Sequence, residues 1–219
     1  MRRAIQKLRG LFWRGHLHLD VRRGVISSHL AQAPEKTIAV FGDSRVEQAL
    51  LPATIGDLTV VNAGIGSATA GLLAEILPSL LMGRRLAASV VSLGINNSKV
   101  VQTANDNFLE SIDSICSFLE KHSDRVILTT IPPVLLSAPL GVGYFDPSKI
   151  AKNNEAIRFV AAKRGLSIFD IAYGMSDENS ALRIGYSRDG VHFTPEGYAV
   201  WTSMLEAALS KNIATGKLG

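Results

Sequence analysis

The strongest constraint on the fold is an alternation of short apolar runs with helical patterns. Each run stops at glycine, proline or a polar residue. The first is Ile38-Ala39-Val40-Phe41, stopped by Gly42-Asp43-Ser44. Continuous runs of this length suit strands buried on both faces of a parallel sheet. Further runs lie at 58–61 (LTVV), 86–93 (LAASVVSL), 125–131 (RVILTTI) and 166–169 (LSIF). Strand–helix alternation repeated in this way predicts an α/β fold, a five-stranded parallel sheet covered by helices on both faces. Three strands end in GDS (42–44), NAGIGS (62–67) and GINN (94–97). A parallel sheet gathers these ends on its carboxyl edge, where open α/β sheets carry their ligand sites.

Helices are expected over 68–81, with an irregularity at Pro78, over 103–121 and over 150–164. A last helix starts at Pro195, with Thr194 as its N-cap. Residues 134–146 are long for a βα connection, which points to a lid or a pocket wall. Leu135, Leu136, Val142, Tyr144 and Phe145 there could meet an acyl chain or pack on the core.

With 219 residues the chain suits one well-filled core. Its net charge of +4 is unevenly placed. Residues 1–36 hold eight Lys and Arg against Asp20 and Glu35, while 37–219 hold fifteen basic and seventeen acidic groups. The organisation read from this is a basic N-terminal extension, 1–35, followed by a domain over 36–219. A near-neutral domain with 6% aromatic residues argues against a nucleic-acid partner.

Within the extension, Ile5, Leu8, Leu11 and Phe12 could line a short basic amphipathic helix able to touch a membrane surface. A frayed or packed-down extension is the favoured expectation, because Gly10 and Gly15 weaken any helix. Lys7 and Arg9 interrupt a signal-peptide core, and no run of eighteen apolar residues occurs, so a cytoplasmic location is expected. Cys116 is the single cysteine and falls on the apolar face of a helix, so it reads as a buried, inert thiol.

The chemistry-bearing residues are Ser44, Asp189 and His192. Asp189 and His192 stand three apart on a turn, which lets the carboxylate accept from Nδ1–H and leaves Nε2 free to take a proton from Ser44. A backbone N–H from the Gly64–Ser67 loop and the side-chain amide of Asn96 are suitable oxyanion donors. Taken singly, Ser44 suits an N-cap, His192 a packed histidine and Asp189 a turn former.

Together these blocks resemble the GDSL (SGNH) hydrolase family, matching in order over residues 42–192. The resemblance implies a flavodoxin-like α/β/α fold and metal-free ester hydrolysis of a small-molecule or saccharide substrate, with no cofactor. It assigns Ser44 as nucleophile and oxyanion donor, Asp189 and His192 as acid and base, and Asn96 as the oxyanion amide. Arg45 replaces the leucine of the family name, Ser67 stands where the oxyanion glycine usually lies, and Asn97 replaces an aspartate. Gly64 is the substitute donor to Ser67. Asp43 is expected to support the serine loop without a chemical step, and Asp170 to act as a structural or cap residue.

The other classes are acyl transfer on the same residues, a non-catalytic binding module and a dinucleotide site. The last is weak, since Thr69 occupies the third fingerprint position after Gly64 and Gly66.

Overall fold

The computed structural model describes residues 2–101, 107–141 and 143–212, with backbone alone for 2–16 and 212. Helix α1 (Arg2–Gln32) is followed by β1 (Thr37–Gly42), α2 (Ser44–Glu47), β2 (Thr54–Ile55) and β3 (Leu58–Gly64). Then come α3 (Ala70–Leu81), β4 (Ala88–Ser92), α4 (Phe108–His122) and β5 (Val126–Thr129). The chain closes with α5 (Pro147–Arg164), β6 (Ser167–Phe169), α6 (Ile171–Met175) and α7 (Pro195–Asn212).

The sheet runs β2-β3-β1-β4-β5-β6 and is parallel except for β2. It therefore has six strands where five were expected. The addition is a two-residue edge strand, with Ile55 opposite Leu58 across a Gly56-Asp57 turn. Two residues show no periodicity, and Gly56 supplies the positive φ the turn needs. Strand β1 lies between β3 and β4 with Gly42 in register with Gly64 and Ser92, so three strand ends meet at one point.

Side chains of β1 alternate between two cores, as period two requires. Ala39 and Phe41 pack with α1, α3, α4 and α5, whereas Ile38 and Val40 pack with α6 and α7 around Trp201, Leu205 and Leu209. Cys116 is fully buried in the first core. Burial pushes its thiol up to about 12, as an inert thiol requires.

Helix α3 continues through Pro78 to Leu81. A single lost backbone bond is outweighed by the burial of Leu73, Ile76, Leu77 and Leu80 along one face. The N-terminal segment is one helix, and over its described side chains it is packed down rather than frayed. Ile26 and Leu30 are fully buried, Leu19 packs beside the same core, and Arg23 Nη2 donates to Ser79 Oγ at 3.1 Å. The side chains of Ile5, Leu8, Leu11 and Phe12 lie outside the described residues, as do all of 102–106 and Val142.

Candidate active site

Ser44 is the first residue of α2, directly after β1. It is not the N-cap. Asp43 takes that role, its carboxylate accepting from Arg45 N at 3.0 Å. The serine hydroxyl is left for other work, and its Oγ lies 3.0 Å from His192 Nε2. His192 Nδ1 lies 2.6 Å from Asp189 Oδ2. The three side chains form one hydrogen-bonded chain that can carry the serine proton onto the imidazole.

Asp189 is itself held by the turn. Its Oδ1 accepts from the backbone N–H of Val191 and of His192, each at 2.8 Å. Burial pushes this carboxyl up, but the hydrogen bonds from His192 and the two amides outweigh it, and the group sits below its ordinary value. It therefore remains an acceptor that fixes the imidazole tautomer. Ser187 Oγ braces the same turn, donating to His192 O at 2.7 Å and accepting from Gly190 N at 2.8 Å.

The 62–68 loop is organised by its first residue. Asn62 Nδ2 donates to Val46 O at 2.7 Å, and its Oδ1 accepts from Gly64 N at 3.0 Å. The Gly64 amide is thus occupied. Ile65 N donates to Gly42 O, Gly66 N to Glu47 Oε2, and Ala68 N to Ile65 O. Among the described residues, the Ser67 amide is the one in this stretch that donates to no protein group. Ser67 is exposed and has φ 63°, the left-handed region that favours glycine. Asn96 opens a short 3₁₀ turn after β4 and is buried, with Nδ2 donating to Ala68 O at 3.1 Å. That bond uses one amide hydrogen and leaves the second. Asn97 Oδ1 accepts from Ala70 N at 3.1 Å, so it ties the start of α3 to the same turn.

Arg45 does more than its variable place after GDS suggested. Its side chain is buried, with Nη1 donating to Pro132 O at 2.8 Å and Nη2 to Pro133 O at 3.2 Å. Its guanidinium lies 4.9 Å from the centre of the Phe193 ring. Burial lowers its pKa to about 10, with Asp43 opposing the shift. Burial likewise raises the Asp43 carboxyl, opposed by Arg45. The available signal was the pair Pro132-Pro133, in which neither residue has an N–H and both carbonyls need a donor.

Residues 134–141 are bonded to the Asp189 turn. Leu135 N donates to Gly190 O at 2.9 Å and Leu140 N to Asp189 O at 2.7 Å. Val134 and Phe145 are buried, while Leu136, Leu140 and Tyr144 remain exposed. Ile131, Val134, Leu136 and Ile150 line a cavity of about 470 Å³. Asp170 caps α6, accepting from Tyr173 N at 3.2 Å. Among the described residues no group of three or more His, Cys, Asp or Glu is placed to hold a metal ion, and no helix is long and apolar enough to cross a membrane.

The sequence profile of the GDSL-like lipase/acylhydrolase family matches residues 34–200. The chain belongs to this family. Its members' class of activity, ester hydrolysis, is therefore the class of this GDSL-like chain. A search of curated protein sequences finds no match. Among solved structures, a Streptococcus pneumonia protein provisionally described as a platelet activating factor aligns with TM-score 0.78 and 21% identity, covering 95% of this chain and 99% of that one. A GDSL-like lipase from Bacteroides thetaiotaomicron gives 0.66 and 23%, covering 86% and 97%. The acetyl xylan esterase AlAXEase gives 0.65 and 17%, covering 79% and 99%. At these identities the likeness is one of fold.

Proposed function

We propose that this chain is a serine ester hydrolase that works through an acyl-enzyme. The observation that carries the proposal is the hydrogen-bonded chain Ser44–His192–Asp189 at the carboxyl edge of the sheet. Ser44 Oγ attacks the ester carbonyl carbon while His192 Nε2 takes its proton. Asp189 holds the imidazole in the tautomer with Nδ1–H and stabilises the imidazolium. The oxyanion receives hydrogen bonds from the Ser44 and Ser67 amides and from the free hydrogen of Asn96 Nδ2. Collapse expels the alcohol, protonated by His192. Water, activated by the same imidazole, then releases the acid and frees Ser44. Every proton is carried by His192, and none of these steps calls for a metal or organic cofactor.

The proposed substrates are esters of a small alcohol or a saccharide, including acetyl esters of the kind named for the xylan esterase. The exposed Leu136 and Leu140, on the stretch bonded to the Asp189 turn, favour an acyl group with apolar surface. Hydrolysis of p-nitrophenyl acetate, butyrate and octanoate by the wild type and Ser44→Ala tests the reading. Turnover that disappears in the variant is expected. Ser44 labelling by a fluorophosphonate without turnover would point to a narrow natural ester or to transfer to an acceptor other than water. A folded wild type giving neither would favour a binding module.

A further inference from the structure

Three polar groups outside the Ser44–His192–Asp189 chain converge on the loop that presents Ser67. Glu47, the last residue of α2, accepts the Gly66 amide on Oε2. Its carboxylate also lies 3.4 Å from Arg22 Nε and 3.2 Å from His18 Nε2, both on α1. Arg22 donates twice to the Gly64 carbonyl, from Nε at 3.0 Å and Nη2 at 2.6 Å. The Arg22 and Glu47 side chains are only 19% and 17% exposed, so the pair is largely withdrawn from water.

The fit leaves little freedom. A Cβ on Gly64 would stand 2.1 Å from Glu47 N, and one on Gly66 would stand 3.0 Å from Glu47 Oε2. The carbonyl of Gly64 and the amide of Gly66 are therefore gripped on either side of Ile65, and Ser67 follows in its left-handed conformation. Glu47 is three residues after Ser44 on a helix that Ser44 begins. One carboxylate thus links the serine, the loop amide and the long helix α1.

We propose that Glu47 and Arg22 are positioning residues of the oxyanion hole, and that α1 sets its geometry through them. The inference rests on the serine-hydrolase reading of the site. An oxyanion donor is effective only when held where the charge develops, and a displacement of about 1 Å can cost about 10²-fold in rate. Glu47 holds the N–H of the residue before Ser67, and Arg22 neutralises Glu47 while holding the carbonyl two residues earlier. Neither side chain touches substrate. Both act through the Ser67 amide.

The test compares Glu47→Ala, Glu47→Gln, Arg22→Met and Ser44→Ala in the full chain, by ester kinetics, fluorophosphonate labelling rate and thermal denaturation. Glu47→Ala should lower kcat by about tenfold or more with KM little changed, and labelling of Ser44 should slow in parallel, because the phosphonyl oxygen uses the same hole. Glu47→Gln keeps a carbonyl acceptor for Gly66 N and should recover much of kcat, whereas Arg22→Met should not. If Glu47→Ala does not fold, the Gln and Met variants give the same contrast. Unchanged kcat and labelling in folded Glu47 and Arg22 variants would overturn the proposal. So would losses that follow Tm alone, with Gln no better than Ala. Turnover that survives in Ser44→Ala would instead contradict the hydrolase reading itself, whatever the Glu47 variants do.

Discussion

Arg45 Nε donates to the carbonyl oxygen of Val191 at 2.9 Å, joining the residue after Ser44 to the residue before His192. The two halves of the proton path lie 148 positions apart in sequence, and this buried guanidinium ties them together at the backbone. Its other nitrogens hold the carbonyls of Pro132 and Pro133, immediately before the 134–141 stretch.

Arg45→Met should destabilise the protein strongly. It keeps most of the volume but leaves three carbonyls without their donor, and each buried unsatisfied group costs about 1–3 kcal/mol. A loss of about 3 kcal/mol or more in urea unfolding is expected, with reduced kcat in the folded fraction. Arg45→Lys should recover little, because one ammonium cannot reproduce the planar fork.

Asn96→Ala should lower kcat by about 10²–10³-fold with KM nearly unchanged, the signature of a group used only in the transition state. Steady-state kinetics on a p-nitrophenyl ester read this directly. A raised KM with intact kcat would remove Asn96 from the oxyanion hole.

Asp189→Asn should lower kcat by about 10⁴-fold, since the amide no longer enforces the Nδ1–H tautomer. The same variant tests the lowered Asp189 carboxyl. A depressed folded-state pKa contributes stability that is present above the ordinary value of 3.8 and is lost as pH falls through the folded-state value. The Tm advantage of wild type over Asp189→Asn should hold from neutral pH to about pH 4 and shrink below it.

Cys116 should resist alkylation in the folded protein. Its thiol is fully buried and pushed up to about 12 by that burial, so almost no thiolate exists at pH 8. Iodoacetamide at pH 8 should label it only after denaturation, as intact mass reports.

How much of this was legible in the sequence differs from element to element. The parallel strands were, because Ile38–Phe41 and its counterparts are continuous apolar runs with no competing helical period. The pairing of Asp189 with His192 was too, since three positions on a turn bring the carboxylate to Nδ1, whereas their meeting with Ser44 was legible only through the family resemblance. Strand β2 was not, because Thr54-Ile55 is too short to carry a pattern. Helix α1 was hidden by Gly10, Gly15 and Gly24, each costing about 1 kcal/mol relative to alanine. What offsets that is the burial of Ile26 and Leu30, a tertiary contact no local window contains. Arg45, Arg22 and Glu47 escaped for the same reason, since their partners lie far away in sequence.

The N-terminal half of α1 bears on the membrane proposal. Replacing Arg2, Arg3, Lys7 and Arg9 by Gln should abolish co-sedimentation with anionic vesicles if this basic stretch is the contact. These substitutions leave Ile26 and Leu30 in the core, which truncation before Ala33 would remove. Equal sedimentation of wild type and the neutralised variant would end the membrane idea.

In the proposed mechanism Ser44 is the nucleophile of an acyl-enzyme. Its most direct test is rapid-quench mass spectrometry of wild type turning over p-nitrophenyl octanoate, with the adduct mapped by peptide. An octanoyl mass is expected on the peptide containing Ser44, absent in Ser44→Ala and accumulating in His192→Ala only far more slowly. Turnover in wild type with no adduct on that peptide, or an adduct that persists in Ser44→Ala, would contradict the mechanism.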